Sequence, residues 1–357
     1  MRASVVAGIA GILIGIVLAM TVPGARTVVG TVTGANGSFV NPVIGTDFAD
    51  PTILRAADGW WYAYSTEQLT VERMANVQAA RSRDLVSWEL LPDALPVEAS
   101  WAAENRDVWA PGAIQAPGGR AYLYFAALAN TDLGMCLGVA MADSPADPFT
   151  DIGEPLQCGT GFVNIDAMPF DDPISGRSYL YWGSDGSPIY ARELAEDRTG
   201  FAAGSEAVAV LEPDPDRPYE GLIEAPWVHV HDGTYYLFYS GDDCCSWPDP
   251  GYAVMVARAD SPLGPFERRG PGDQHIVLEA SERWEAPGHN AVAVDDAGRT
   301  WLVYHAIDSR KPYQPAIEAV RRPMLIDPIE WVDGWPTVAG RAPSEGSVPR
   351  PAGAPLR

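Results

Sequence analysis

The chain has 357 residues, of which 47% are hydrophobic, so it can bury a large core and is neither disordered nor of low complexity. Aspartate and glutamate outnumber lysine and arginine by 47 to 24, which gives a formal net charge of −23. Phosphate backbones and anionic lipid surfaces repel a chain of this charge, and nucleic acid is therefore excluded as a partner.

The N-terminal segment has the pattern of an export signal. Arg2 precedes an uncharged run, Ala3 to Val22, that is rich in alanine, valine, isoleucine and leucine, as in secretory signals. At about 20 residues the run is also long enough to span a bilayer as an uncleaved anchor. We therefore expect an exported protein in which residues 1–30 are a signal peptide or a membrane anchor, with membrane attachment through this segment only.

Residues 39–340 contain five copies of one short pattern, a glycine turn followed by an aromatic-rich strand. An aromatic residue stands three positions after the glycine in every copy. The spacing of about 60 residues is typical of four-stranded propeller blades. The sequence predicts an all-β, five-bladed β-propeller, with a β-sandwich as the alternative, and a loose proline-rich tail over 341–357. The glycines of the five copies are Gly59, Gly119, Gly176, Gly233 and Gly298.

Chemically capable residues recur nine or ten positions before these glycines. The positions are occupied by Asp50, Trp109, Asp166, Glu224 and His289. Equivalent positions on the innermost strands of a propeller face one axis, so these side chains are predicted to converge on one pocket. The acids follow apolar residues, where an unpaired carboxylate is costly to bury unless it is hydrogen-bonded, metal-bound or catalytic. The alternative for each acid taken singly is an ordinary surface turn.

The four cysteines lack zinc-site spacing, so a structural zinc is not expected. In an exported protein they could form up to two disulfides, and Cys136 with Cys158 is the first pair to test. Adjacent Cys244 and Cys245 cannot easily bond to each other in a trans chain. We expect them to be buried small residues in a loop.

Taken together, the chain resembles glycoside hydrolase family 43, whose members are five-bladed β-propellers that invert configuration at the anomeric carbon. The resemblance extends over all five predicted blades. It is carried by DFADPTILR (47–55), SRDLVSW (82–88), WAPGAI (109–114), IDAMPFDD (165–172), IEAPWVHVHDGTYYLFYSG (223–241), GHNAVAV (288–294) and GWP (334–336).

The resemblance implies roles for the matching residues. Asp50 is similar to the general base that activates water, Glu224 to the general acid, and Asp166 to the aspartate that holds and tunes that acid. His289 resembles a central histidine associated with a bound cation, commonly Ca²⁺, and its alternative is a purely hydrogen-bonded residue; no organic cofactor is implied. Trp109 is expected to offer a flat face to a sugar ring or to be a core residue.

The expected chemistry agrees with these roles. Inversion needs an acid and a base about 6.5–9.5 Å apart, a gap that opposed blades can provide. A third acid near Glu224 would raise the pKa of Glu224 by like-charge repulsion. His229, His231 and His305 are expected to be structural or surface residues.

The resemblance further implies a polysaccharide or oligosaccharide substrate. The E-A-P motif followed by YYLFYSGDDCC looks most like the arabinan-acting branch, although Ala49 stands where those enzymes usually carry histidine. The sequence therefore predicts hydrolysis of α-L-arabinofuranosidic linkages. The alternatives are a galactofuranosidase, a β-xylosidase, or a non-catalytic propeller that binds glycans.

Overall fold

The computed structural model describes residues 28–29, 37–69, 74–103, 107–315 and 319–353. These residues form five antiparallel sheets arranged in chain order, and their one helix is the short 3-10 turn Ala339–Arg341. No helix in this part of the chain has the length and apolar character needed to span a bilayer. The predicted all-β, five-bladed propeller is confirmed.

Each blade is an up-and-down sheet whose first strand is innermost. Blade one contains Thr52–Arg55, Trp61–Ser65, Gln78–Ser82, Trp88–Leu90 and the outer Val28–Val29, and blade two contains Trp109–Gln115, Ala121–Leu128, Met135–Ala142, Thr150–Asp151 and Gln157–Gly159. Blade three contains Met168–Asp171, Ser178–Trp182, Ile189–Glu193 and Val208–Leu211, and blade four contains Ile223–His231, Thr234–Gly241, Ala253–Ala259, Glu267–Arg268 and Ile276–Leu278. Blade five contains Trp284–Val294, Thr300–Asp308 and Met324–Pro328.

Three further strand pairs lie outside the blades. They are Gln68–Leu69 with Met74–Ala75, Glu330–Val332 with Trp335–Thr337, and Ser38–Phe39 with Val348–Pro349.

The first strands form a closed ring, because each one contacts the first strands of both neighbouring blades, including that of blade five against that of blade one. A bridge between blade five and the segment before blade one secures this ring. Ile44, which precedes blade one, pairs with Met324 of blade five. The closure leaves the inner strands facing a common axis, as the spacing of the repeat predicts.

The repeated glycines turn the chain between the first and second strands. All five adopt left-handed backbone with φ between 73° and 93°, which only glycine adopts without strain. The aromatic residues three positions later are all at most 5% exposed and pack between the sheets. The glycine turn and the buried aromatic side chain together explain why this short pattern predicts the blades. The aromatic residues are Tyr62, Tyr122, Tyr179, Tyr236 and Trp301.

The C-terminal segment, predicted as a loose tail over 341–357, is instead packed through residue 353. Val348–Pro349 extends the strand Ser38–Phe39, and the backbone N–H of Ala352 donates to Asp295 at 2.8 Å. Proline does not prevent this docking, because an edge position needs few backbone donors. The predicted signal or anchor at 1–30 lies outside the described residues, apart from Val28–Val29.

Both cysteine pairs are joined as disulfides. Cys136–Cys158 links two paired strands of blade two, as the first candidate pair predicted. The expectation for Cys244 and Cys245 was wrong on both points: they are bonded to each other, and Cys245 is exposed. The carboxylate of Asp243 accepts the backbone N–H groups of Cys245 and Ser246. This tight turn brings the two sulfur atoms together.

Candidate active site

One cavity of about 530 Å³ lies at the inner ring of strands, and all five predicted site residues line it. The carboxylates come from blades one, three and four, so only closure of the ring brings them together. These residues are Asp50, Trp109, Asp166, Glu224 and His289.

The backbone takes a left-handed turn in each blade beside this cavity. The positions are Asp50 (φ 54°), Ala110 (44°), Asp166 (62°), Ala225 (53°) and His289 (46°). Such conformations cost about 1–3 kcal/mol each in residues other than glycine and cluster at functional sites. Trp109 and Glu224 therefore lie one position before the true repeat position, which alanine occupies in blades two and four.

Asp50 is held as a carboxylate. Arg322 donates from Nη1 to Asp50 Oδ1 at 3.0 Å, and the hydroxyl of Thr66 donates to Oδ2 at 2.5 Å. Burial alone would raise the pKa of Asp50, but the charge of Arg322, helped by His289 and His305, outweighs it and holds this pKa well below its usual value. Asp50 is thus ionised throughout the physiological range.

Glu224, in contrast to Asp50, favours the protonated form. The hydroxyls of Ser184 and Tyr252 donate to its two oxygens at 2.5 and 2.7 Å. Burial raises the pKa of Glu224 above its usual value and the charge of Asp50 acts in the same direction, although both hydroxyl hydrogen bonds and the charge of Arg322 oppose the rise. Burial is therefore the main cause of this shift, rather than the predicted repulsion by Asp166.

Asp166 lies beside both other acids. Its Oδ2 accepts the backbone N–H of Ala225 at 2.9 Å, which ties it to the residue that follows Glu224. Burial, and then the charges of Glu224 and Asp50, raise the pKa of Asp166 well above its usual value. Asp166 and Glu224 consequently favour holding a proton between them while Asp50 stays ionised.

Two histidines border Asp50. His289 Nδ1 lies 3.6 Å from Asp50 Oδ1 and 3.9 Å from Asp166 Oδ2, and burial lowers the pKa of His289 to about 4, so its ring is neutral. His305, expected to be structural or on the surface, is fully buried against the site: its Nδ1 accepts the backbone N–H of Asp50 at 3.0 Å. His305 therefore helps to fix the strained turn at Asp50.

Trp109 forms another part of the cavity wall. Trp109 stacks on Phe162 with ring centroids 6.0 Å apart and planes 25° apart, and Phe162 is 49% exposed. Trp109 thus lines the cavity rather than lying in the core. Within the described residues, no three histidine, cysteine, aspartate or glutamate side chains are arranged to hold a metal ion.

Sequence reasoning missed the residues that surround the acids. These residues lie in the segments that connect strands, so they fall outside the repeat position that revealed the acids; they are Arg322, Tyr252, Ser184 and Thr66. The one signal for Arg322 in the sequence is that it forms a basic pair with Arg321, just before Pro323 and the apolar strand Met324–Pro328. Their contacts with the acids join residues far apart in the chain.

The protein is a five-bladed propeller with three carboxyl groups in one axial cavity, and the pKa values of two of them are driven in opposite directions. These are features of a glycoside hydrolase. The comparison with known families agrees. A model of the family described as Glycosyl hydrolases family 43 matches residues 39–336. The chain belongs to this family and is a glycoside hydrolase.

Individual relatives share most of their length with this chain. It is 31% identical to Beta-D-galactofuranosidase xynD of Aspergillus niger, over 76% of this chain and 78% of that protein. It is 27% identical to Extracellular exo-alpha-(1->5)-L-arabinofuranosidase ArbA of Cellvibrio japonicus, over 82% and 86%. Among solved structures, a thermostable family-43 glycoside hydrolase superposes with a TM-score of 0.71 at 29% identity, covering 87% of this chain and 98% of that one.

Proposed function

We propose that the protein is an exported, inverting furanosidase that cleaves α-L-arabinofuranosidic linkages in arabinan or arabino-oligosaccharides. The observation that carries this proposal is the contrast between Asp50 and Glu224 within one cavity. Arg322 keeps the first ionised, whereas burial favours the protonated form of the second. An inverting hydrolase needs one carboxylate base and one carboxylic acid at the same pH.

In the proposed reaction Asp50 accepts a proton from a water molecule as the water oxygen attacks the anomeric carbon. Glu224 gives its proton to the glycosidic oxygen as the bond from that oxygen to the anomeric carbon breaks. The products are a free sugar of inverted configuration and an alcohol. Before the next turnover, Asp50 must release its proton to solvent and Glu224 must regain one.

The neighbouring residues act on these two groups. Asp166, bonded to the backbone of Ala225, positions the chain that carries Glu224, and the two carboxyl groups favour holding one proton between them. Tyr252 and Ser184 orient the Glu224 carboxyl group through its two oxygens. Trp109 offers an aromatic face on which a sugar ring can pack.

The relatives support a furanoside substrate. Arabinan-acting enzymes and a galactofuranosidase are both similar to this chain. α-L-Arabinofuranose and β-D-galactofuranose share their ring configuration and differ in the group attached to C4, which is CH₂OH in the first and CH(OH)CH₂OH in the second. The 31% identity to the Aspergillus niger enzyme makes β-D-galactofuranosides the second candidate.

The test is sugar release from aryl α-L-arabinofuranoside, β-D-galactofuranoside and β-D-xyloside, and from linear arabinan, with Glu224→Ala as the control. The anomer formed first is identified by proton NMR. Arabinofuranoside hydrolysis with inversion, lost in the variant, supports the proposal. Release with retained configuration contradicts the mechanism, preference for the galactofuranoside replaces the substrate, and glycan binding without hydrolysis favours a binding propeller.

Calcium at His289 remains a prediction. Ca²⁺ prefers six to eight oxygen ligands, whereas His289 offers a ring nitrogen and the adjacent carboxylates are already bonded to Arg322, Thr66 and Ala225. The side chains present do not form a calcium cage, so no reaction step is assigned to a metal. Calorimetric titration with Ca²⁺ of wild type and His289→Ala tests for binding.

Export is proposed from residues 1–30 together with relatives described as extracellular. Expression of the full chain in a secreting bacterial host, followed by intact-mass measurement, tests it. Soluble protein in the medium, shortened at its N-terminus, indicates a cleaved signal. Full-length protein in the membrane fraction indicates an anchor, and full-length protein in the cytoplasm contradicts export.

A further inference from the structure

The disulfide between adjacent Cys244 and Cys245 lines the same cavity as the three acids. It lies in blade four, in the segment that connects Thr234–Gly241 to Ala253–Ala259. Cys244 is partly buried and Cys245 is exposed, so the sulfur atoms lie between the protein and the space that a substrate would occupy. The mechanism proposed above assigns them no role.

The disulfide is close to the reacting groups. Arg322 Nη1, which donates to Asp50 Oδ1 at 3.0 Å, also lies 3.6 Å from the Sγ of Cys245. One nitrogen atom therefore connects the proposed base to the disulfide. A sugar whose anomeric carbon lies beside Asp50 has its ring within reach of these sulfur atoms.

The segment that carries the disulfide is held firmly. Asp243 Oδ1 accepts the backbone N–H groups of Cys245 at 2.9 Å and of Ser246 at 3.0 Å. Cys244 packs with Trp247 against a cluster that includes Tyr252, whose hydroxyl donates to Glu224. The disulfide is thus a fixed surface that is connected to both proposed catalytic residues.

The chemistry of a disulfide suits one part of a sugar. A furanose ring has C–H groups that need apolar contact, while the charged groups beside Asp50 serve hydroxyls and the reacting atoms. Disulfide sulfur is soft and polarizable and has no proton to donate, so it can pack against C–H groups without leaving a donor unpaired. Joining adjacent residues also removes the rotamer freedom that two separate thiols would have.

We propose that the Cys244–Cys245 disulfide is a specificity-determining part of the sugar-binding wall. Its sulfur atoms contact the C–H face of the furanose ring held beside Asp50. Reducing the disulfide therefore weakens substrate binding. This inference rests on the proposed function. Reduction by a water-soluble phosphine is balanced: the phosphine and one water molecule give the phosphine oxide, and the disulfide gains two electrons and two protons to become two thiols.

The experiment measures kcat and KM of the full chain before and after phosphine treatment, with the aryl furanoside that the wild type hydrolyses. The variants are Cys244→Ser/Cys245→Ser and, as the matched control, Cys136→Ser/Cys158→Ser, which removes the disulfide outside the cavity. Thiol alkylation and mass spectrometry count the bonds reduced. Circular dichroism checks that each protein stays folded.

We expect KM to rise about tenfold on reduction of the wild type, the size expected for losing one apolar contact in a pocket, with kcat changed far less. The control variant should respond in the same way. The Cys244→Ser/Cys245→Ser variant should start with the raised KM and ignore the phosphine. Reoxidation of the wild type should restore the original KM.

Three results would overturn the inference: an unchanged KM in the reduced wild type, loss of the phosphine response in the control variant, or a shift in the acid limb of the pH profile at constant KM. The last would mean that the disulfide acts through Arg322. If the oxidised enzyme hydrolyses none of the substrates, the proposed function fails separately. Calorimetric binding of arabino-oligosaccharide to oxidised and reduced Glu224→Ala protein still decides the inference, and equal affinity refutes it.

Discussion

Replacing Arg322 by methionine removes the charge that keeps Asp50 ionised and retains much of the length of the side chain. The guanidinium donates to Asp50 Oδ1 at 3.0 Å, and both side chains are mostly buried. His289 does not supply this charge in the wild type near pH 7, because burial lowers the pKa of His289 to about 4 and leaves its ring neutral. The pKa of Asp50 should therefore rise.

The size of the rise follows from the geometry. Unit charges about 4 Å apart attract by about 4 kcal/mol at an effective dielectric constant of about 20. At about 1.4 kcal/mol per pKa unit, this sets an upper bound of about three units. Thr66 still donates to Asp50 in the variant, so we expect a rise of about one to three units, the range found for carboxylates that lose a neighbouring cation.

The assay is kcat/KM against pH, because its acid limb reports the pKa of the base in the free enzyme. A raised pKa moves that limb to higher pH, so the variant loses activity in acid and recovers it as the pH rises. Arg321→Met is the matched control, since its guanidinium bonds to the carbonyls of Gly45 and Lys311 and not to Asp50. An acid limb that is the same in Arg322→Met and wild type would refute the assignment of Asp50 as a base ionised by Arg322.

Three further predictions concern the acids and the ring of blades. Asp50→Asn should lower kcat by about 10²–10⁴-fold without loss of folding; circular dichroism and steady-state kinetics check this, and retained turnover removes Asp50 as the base. Glu224→Ala should slow aryl glycosides with poor leaving groups far more than dinitrophenyl glycosides, which need little protonation; equal losses on both would argue against the acid role. Gly112→Ala should destabilise the protein by about 1–3 kcal/mol in urea unfolding, because a Cβ there would collide with the carbonyl oxygen of Ala167 in the next blade. Gly118→Ala is the control and should change the stability little, because Gly118 has open space around it.

The sequence was most informative where a structural feature depends on neighbouring residues and recurs in every blade. A glycine in left-handed backbone followed by a buried aromatic residue needs only a few neighbouring residues, and five copies reveal five blades. The same register located Asp50 and Asp166 at the repeat position. It placed Glu224 one residue from that position, because Ala225 and not Glu224 takes the left-handed turn.

Prediction from the sequence was weaker where the environment of a residue depends on residues that are distant in the chain. His305 was expected to be structural or on the surface and is a buried structural residue, but its partner, the backbone of Asp50, lies 255 positions away and could not be predicted. The C-terminal segment looked loose from its prolines, yet it docks on the strand at Ser38–Phe39. The bond between Cys244 and Cys245 depends on the turn around Asp243, which composition does not reveal.

The sequence by itself therefore determined the propeller, the number of its blades and the three acids at its axis. Only the tertiary structure decided which of those acids is ionised. Protonation depends on the charge, burial and hydrogen bonds around each carboxyl group, and these involve Arg322, Tyr252 and Ser184 in segments outside the inner ring of strands. Because such forces act over a few ångströms in space and not along the chain, closure of the ring is what turns three similar carboxyl groups into different chemical species.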